Sequence, residues 1–238
     1  MARDWNADVE QFGTALEQRL GTRLVSLVLY GSAARGDFVA GRSDINLLLI
    51  LTDTSAEELR SVGPAVHAWV KAGHPPPLIF SDGGWRASTD VFPLEIEDMR
   101  QAHRVLRGRD PFAGLETAPA DLRQELEREV LGKLLQLRAE YTASGPHPKA
   151  LGALLETSAR TFFVLFRAVL RLRGTVPPTE PAALVQAAAP IIGFHAGAFD
   201  WVLARLAGRH VPDLAQFDPA AERYLEAIER LAAFVDEM

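Results

Sequence analysis

The chain has no cysteine among its 238 residues. Disulfides and thiolate metal sites are therefore excluded, and nothing in that composition points to secretion. Long apolar runs are missing too: none approaches the roughly 20 residues that span a bilayer, so no membrane partner is expected. The opening stretch MARDWNADVEQFG is polar and charged and has no apolar signal core, so the expected location is the cytoplasm. An excess of positive charge is also lacking, because the formal net charge is −6. General nucleic-acid binding is not expected, since such proteins neutralise phosphates with basic surfaces. Internal repeats and low-complexity tracts are absent. What is present is a hydrophobic fraction of 48%, enough to bury a real core. The length suits one large domain or two small ones. The richness in Ala, Leu and Arg suggests a GC-rich bacterial genome.

Two kinds of pattern divide the chain. Val9, Phe12, Leu16 and Leu20 recur at helical spacing, with Gly21 as the stop. Leu24 to Tyr30 reads as a buried strand, and Asp44 to Leu51 as a second strand buried on both faces. Thr54 and Ser55 each have a Glu three residues on, a capping-box signal for a helix to about Lys71. His74-Pro75-Pro76-Pro77 breaks the chain before a short strand at Leu78 to Phe80. Val91 to Glu97 reads as a third major strand, with Pro93 early in it as at an edge or a start. From Pro119 onward the pattern is helical. Leu122, Leu126, Val130, Leu134 and Leu137 form one stripe, and Leu151, Leu155, Phe162, Leu165 and Val169 another. Asp218-Pro219 opens a last helix. The expected fold is α/β: a mixed sheet with flanking helices over residues 1–115, then a helical bundle over 116–238.

The chemistry gathers between the first two strands, in LVSLVLYGSAARGDFVAGRSDINLLLIL. Side chains alternate along a strand, so Asp44 and Asn46 are expected on one face. Two carboxylates so placed hold two Mg²⁺ ions, which polarise an α-phosphate and activate an attacking hydroxyl. Gly31 lets backbone approach a phosphate, and Ser32 can donate to a phosphate oxygen. Arg35 and Arg42 can neutralise the triphosphate and the leaving pyrophosphate.

These residues resemble the nucleotidyltransferase superfamily typified by DNA polymerase β. The likeness is greatest to its small bacterial members, the aminoglycoside and the minimal nucleotidyltransferases. Leu29-Tyr30-Gly31-Ser32 and Ser43-Asp44-Ile45-Asn46-Leu47 match the pattern except at Asn46, and Leu94-Glu95-Ile96 supplies its later, third acid. The resemblance covers about residues 10–112. It implies transfer of a nucleoside monophosphate, AMP from ATP in the first place, to a hydroxyl of a small molecule or protein. It implies Mg²⁺ or Mn²⁺ at Asp44, Asn46 and Glu95, with Glu95 as general base. Gly31, Ser32, Arg35 and Arg42 would hold the triphosphate. A helical C-terminal half is also part of that layout, where it covers the active-site cleft; here it carries no matching motif. A monomer or a homodimer is expected.

Asn46 is the departure. At about 4 Å and an effective dielectric near 20, one unit charge pair is worth roughly 4 kcal/mol. If half of that appears in the transition state, loss of the charge slows a two-metal reaction on the order of 10²–10³-fold. A second expectation therefore stands beside transfer: a catalytically silent nucleotide-binding or interaction module, possibly antitoxin-like. Glu97 is expected to be solvated or ion-paired. The run His103, Arg104, Arg107 and Arg109 is expected on a solvated helix face. Phe163 stands outside its stripe and is a candidate to line the cleft. Arg205-x4-His210 formally matches a helical ribonuclease motif, but Gly208 is expected to end the helix between them.

Overall fold

The computed structural model describes residues 5–36, 38, 43–144, 148–215 and 218–238. The chain divides into two compact units, Met1–Thr117 and Ala118–Met238. Among the described residues no helix is long and apolar enough to cross a membrane.

The first unit holds one four-stranded sheet. Its strands are β1 (Leu24–Tyr30), β2 (Asn46–Leu51), β3 (Leu78–Ser81) and β4 (His103–Gly108), in the order β3-β2-β1-β4. β1 pairs antiparallel with β2 and with β4, and β2 pairs parallel with β3. Alternation splits the two central strands between two cores. Leu27, Leu29, Leu47 and Leu49 pack with α1 (Trp5–Leu20) and α3 (Ala56–Lys71), through Phe12, Leu16, Val62 and Trp69. Val28, Leu48 and Ile50 pack on the other face with Trp85 of α4 (Asp82–Arg86) and with Ile96 and Met99 of α5 (Pro93–Gln101). A strand buried on both faces needs apolar residues at every position, hence the unbroken run Leu47 to Leu51. Ser55 caps α3 by accepting from Glu58 N at 3.3 Å. The Glu58 carboxylate is buried and meets Arg23 at 2.5 Å.

Two expectations are corrected here. Residues 91–97 do not form a strand: Pro93 is the first residue of helix α5. Leu94-Glu95-Ile96-Glu97 alternates like a strand for four residues. Phe92, Ile96 and Met99 have helical spacing, however, and Pro at the first helical position is pre-organised for that start. The strand that completes the sheet is β4, which carries the basic run. His103, Arg104 and Arg107 are therefore on an edge strand rather than a helix face, with Arg109 just past its end. Arg107 reaches Glu10 at 2.8 Å and Glu17 at 2.9 Å, both on α1, and Arg109 pairs with Asp82. The Glu10 and Glu17 carboxylates push the Arg107 guanidinium above its usual range.

The second unit is helical: α6 (Pro119–Ser144), α7 (Pro148–Leu172), α8 (Pro181–Ile192), α9 (Asp200–Leu206) and α10 (Pro219–Asp236). The apolar stripe of α6 is buried from Leu122 to Leu137, as its spacing requires. Asp218 caps α10 by accepting from Ala220 N at 2.9 Å, with Pro219 first in the helix. Tyr224 is buried there, and its hydroxyl lies 2.9 Å from Ser158 Oγ. Phe163 is 4% exposed and faces Phe199, so it is core rather than a lining residue. Arg205 pairs with Glu156 at 2.8 Å, and α9 ends at Leu206 ahead of Gly208, whose φ is 73°. Arg205 and His210 therefore do not share a helix.

Candidate nucleotide site

The pairing register sets up one end of the sheet. Asn46 opens β2 opposite Tyr30, the last residue of β1, and Tyr30 in turn faces His103, the first of β4. Asn46, Tyr30 and His103 thus form a row across the mouth of the sheet. β3 enters beside β2 at the same end, after Pro75-Pro76-Pro77, with Leu78 opposite Leu48. No strand residue in that row is an acid.

Gly31 turns the chain out of β1 with φ 77°, ψ −149°, a conformation that L side chains rarely adopt. Its N–H donates to Ala102 O at 3.2 Å, which ties the turn to the start of β4. Ser32 follows as the first residue of a single helical turn, α2 (Ser32–Arg35). Asn46 is half-buried and lies against that turn: a Cβ on Gly31 would come within 3.3 Å of Asn46 Nδ2. The strand begins at Asn46, so Asp44 precedes it and is exposed. Ile45 between them is buried in the α1 and α3 core.

The remaining expected site residues lie on α2 and α5 or outside the described residues. Glu95 is exposed in the first turn of α5, on the sheet face that Asn46 shares with Leu48 and Ile50. Arg35 forms an ion pair with Asp98 of α5 at 3.6 Å, and both side chains are largely buried. Glu97 accepts from Thr117 Oγ1 and meets Arg100 at 3.2 Å, so it is ion-paired. Arg42 and Asp37 lie outside the described residues. The residue that sequence reasoning passed over is Asp98. Reading residues 92–99 as helical would have placed it a turn from the end of α5, toward the Gly31 mouth.

Tyr30 is mostly buried, and burial pushes its phenol up to about 12. A folded value above the unfolded one of about 10 stabilises the fold fully below pH 10, and this is lost as pH rises through 12. Between about pH 8 and about pH 11.5 the loss is on the order of 2 kcal/mol. Denaturant unfolding at those two pH values should show a smaller alkaline loss for Tyr30→Phe than for the wild type. Equal losses would remove Tyr30 as the cause.

The donor set decides what metal the mouth suits. Asp44 offers one carboxylate and Asn46 one amide carbonyl. Among the described residues no group of three or more His, Asp or Glu is placed to hold a metal ion. Such a set does not fit a resident two-metal centre, which needs bridging carboxylates. It does suit magnesium carried in by a triphosphate as part of the substrate, where one or two carboxylates suffice.

No protein-family model matches the chain, and no curated protein matches it. Among solved structures it is similar to spectinomycin adenyltransferase AAD(9) from Enterococcus faecialis, a structure with ATP and spectinomycin. The TM-score is 0.57 at 9% identity, over 95% of this chain and 98% of that one. The mixed sheet and the helices that follow it therefore have a nucleotidyltransferase fold.

Proposed function

We propose that the mouth formed by Gly31, Ser32 and Asp44 binds a nucleoside triphosphate, ATP in the first place, and that the chain transfers its AMP to a hydroxyl. The observation that carries this is the positive-φ Gly31 turn against Asn46, with an exposed Asp44 two residues before Asn46. Backbone without a side chain can approach phosphate there, and a carboxylate stands ready for the magnesium of MgATP. In the transfer, an acceptor hydroxyl attacks the α-phosphorus and the bond to the β-phosphate oxygen breaks. Pyrophosphate leaves, and Glu95 takes the hydroxyl proton. Arg42, and Arg35 once it turns from Asp98, neutralise the triphosphate. The acceptor is a small molecule or a protein side chain.

The test is incubation with α-labelled ATP and Mg²⁺ or Mn²⁺ across a panel of hydroxyl acceptors. Label should move to an acceptor with the wild type, and Asp44→Asn should abolish the transfer. A wild type that transfers nothing, beside an Asn46→Asp variant that does, would sink this reading. That outcome would favour the second one, a silent nucleotide-binding module. A specific observation supports that alternative: Asn46, Tyr30 and His103 line the mouth without an acid among them.

A further inference from the structure

A groove of about 450 Å³ lies wholly within the helical unit, a size that suits a small molecule. Gly193 ends α8 with φ 88°, a left-handed turn that sends Phe194 and His195 to one wall of the groove. The half-buried Phe194 ring stacks on Phe166 at 5.5 Å, which steadies it as an apolar wall. The floor is made of small residues: Ala198 and Ala227 are buried there, and larger side chains would fill it. The opposite wall is α10, which brings Arg223, Glu226 and Arg230 to the groove. Their i, i+3 and i, i+7 spacing keeps the three on one helix face. Glu229 also lines the groove, but Arg138 holds it at 2.7 Å. Arg223, Glu226 and Arg230 are exposed, and among the described residues none of them enters an ion pair.

The groove therefore presents both signs of charge around an apolar floor. A simple anion would meet Glu226, and a simple cation would meet Arg223 and Arg230; like charges at close range repel. A molecule with a carboxylate and an ammonium group on one carbon meets neither objection. Its two charges are close together, as are Glu226 and Arg230, neighbours at i, i+4 on the helix surface. The half-exposed Phe194 ring favours an aromatic body, which packs well against another ring. We infer that this groove binds a zwitterionic small molecule with an aromatic body, of the class of the aromatic α-amino acids. The arginines donate to the carboxylate, Glu226 accepts from the ammonium group, and the ring lies on Phe194, Ala198 and Ala227. The inference concerns residues 193–230 alone and does not depend on the nucleotide reading.

NMR titration of the isotope-labelled full chain with L-phenylalanine tests this. Binding should saturate with a dissociation constant below about 1 mM, and the amide shifts should centre on Gly193 to Ala198 and on Arg223 to Arg230. 3-Phenylpropionate lacks the ammonium group and phenethylamine the carboxylate; each should bind about fivefold or more weakly. Glu226→Gln should weaken phenylalanine by about fivefold and leave 3-phenylpropionate no weaker. Arg230→Gln should weaken phenylalanine by a similar factor and leave phenethylamine no weaker. Ala227→Leu, which fills the floor, should abolish binding of all three probes. Thermal unfolding checks that each variant is folded; if Ala227→Leu is not, the two variants on the exposed face carry the test. No saturation by phenylalanine up to about 10 mM overturns the inference, as do shifts centred elsewhere. Equal affinity for the three probes overturns the charge pairing.

Discussion

Asn46→Asp should raise the rate of label transfer from α-labelled ATP by about 10²–10³-fold in Mg²⁺ or Mn²⁺. The change restores one carboxylate at the start of β2 without altering side-chain shape. Asn46 is half-buried beside the Gly31 turn, so the new charge would sit at the proposed phosphate site. Part of the Coulomb gain is offset by desolvating the carboxylate at a half-buried position. The gain in rate should appear in kcat at saturating ATP, because the metal acts on the transition state more than on the bound triphosphate. A variant that binds ATP and remains at the wild-type rate would show that Asn46 is not what limits transfer. The limit would then lie with the third acid, since Glu95 is on α5 and not on a strand.

Phe199→Ala should destabilise the helical unit by about 3–5 kcal/mol, the usual cost of truncating a fully buried aromatic. Phe199 is fully buried and is the hub of that core. Its ring lies 4.9 Å from Tyr224, 5.4 Å from Phe166, 5.7 Å from Phe194 and 6.2 Å from Phe163. Removing it opens a cavity between α7, α10 and the segment after α8 that carries Phe194. Val176→Ala is the contrast: Val176 is 87% exposed, and its loss should change stability by less than about 0.5 kcal/mol. Urea unfolding measures both, read from the midpoint at unchanged slope. A Phe199→Ala midpoint equal to that of Val176→Ala would contradict the packing described.

Much of the architecture was legible along the chain because its signals are local. Leu24 to Tyr30 and Leu47 to Leu51 are apolar at every position, and strands that separate two cores must be so. The Ser55 cap, the Asp218-Pro219 start and the α6 stripe are likewise set by neighbours within one or two helical turns. The failures came where local signals competed. Four alternating residues at 94–97 suggested a strand, while a helical repeat across 92–99 and Pro93 decided for α5. The basic run 103–109 suggested a solvated helix face; Arg104 is exposed, but on a strand, and Arg107 is met by Glu10, 97 residues away, and by Glu17, while Arg109 pairs with Asp82. Pairings at such separation leave no trace in a window of ten residues. Phe163 was likewise assigned from its offset to the stripe, and the aromatic hub around Phe199 took it in.

The candidate site divides in the same way. The sequence by itself determined its chemical inventory: a Gly-Ser turn, one carboxylate at Asp44 and an amide at Asn46. Side-chain identity fixes charge and donor count wherever the chain goes, so the shortage of acid at this mouth could be read before any fold. Only the tertiary structure decided which groups meet. It put the Asn46 amide against Gly31 and tied Arg35 to Asp98. It also placed Glu95 on a helix over the same sheet face. Those contacts follow from strand register and helix packing, which minimise the energy of the whole unit rather than of any one segment.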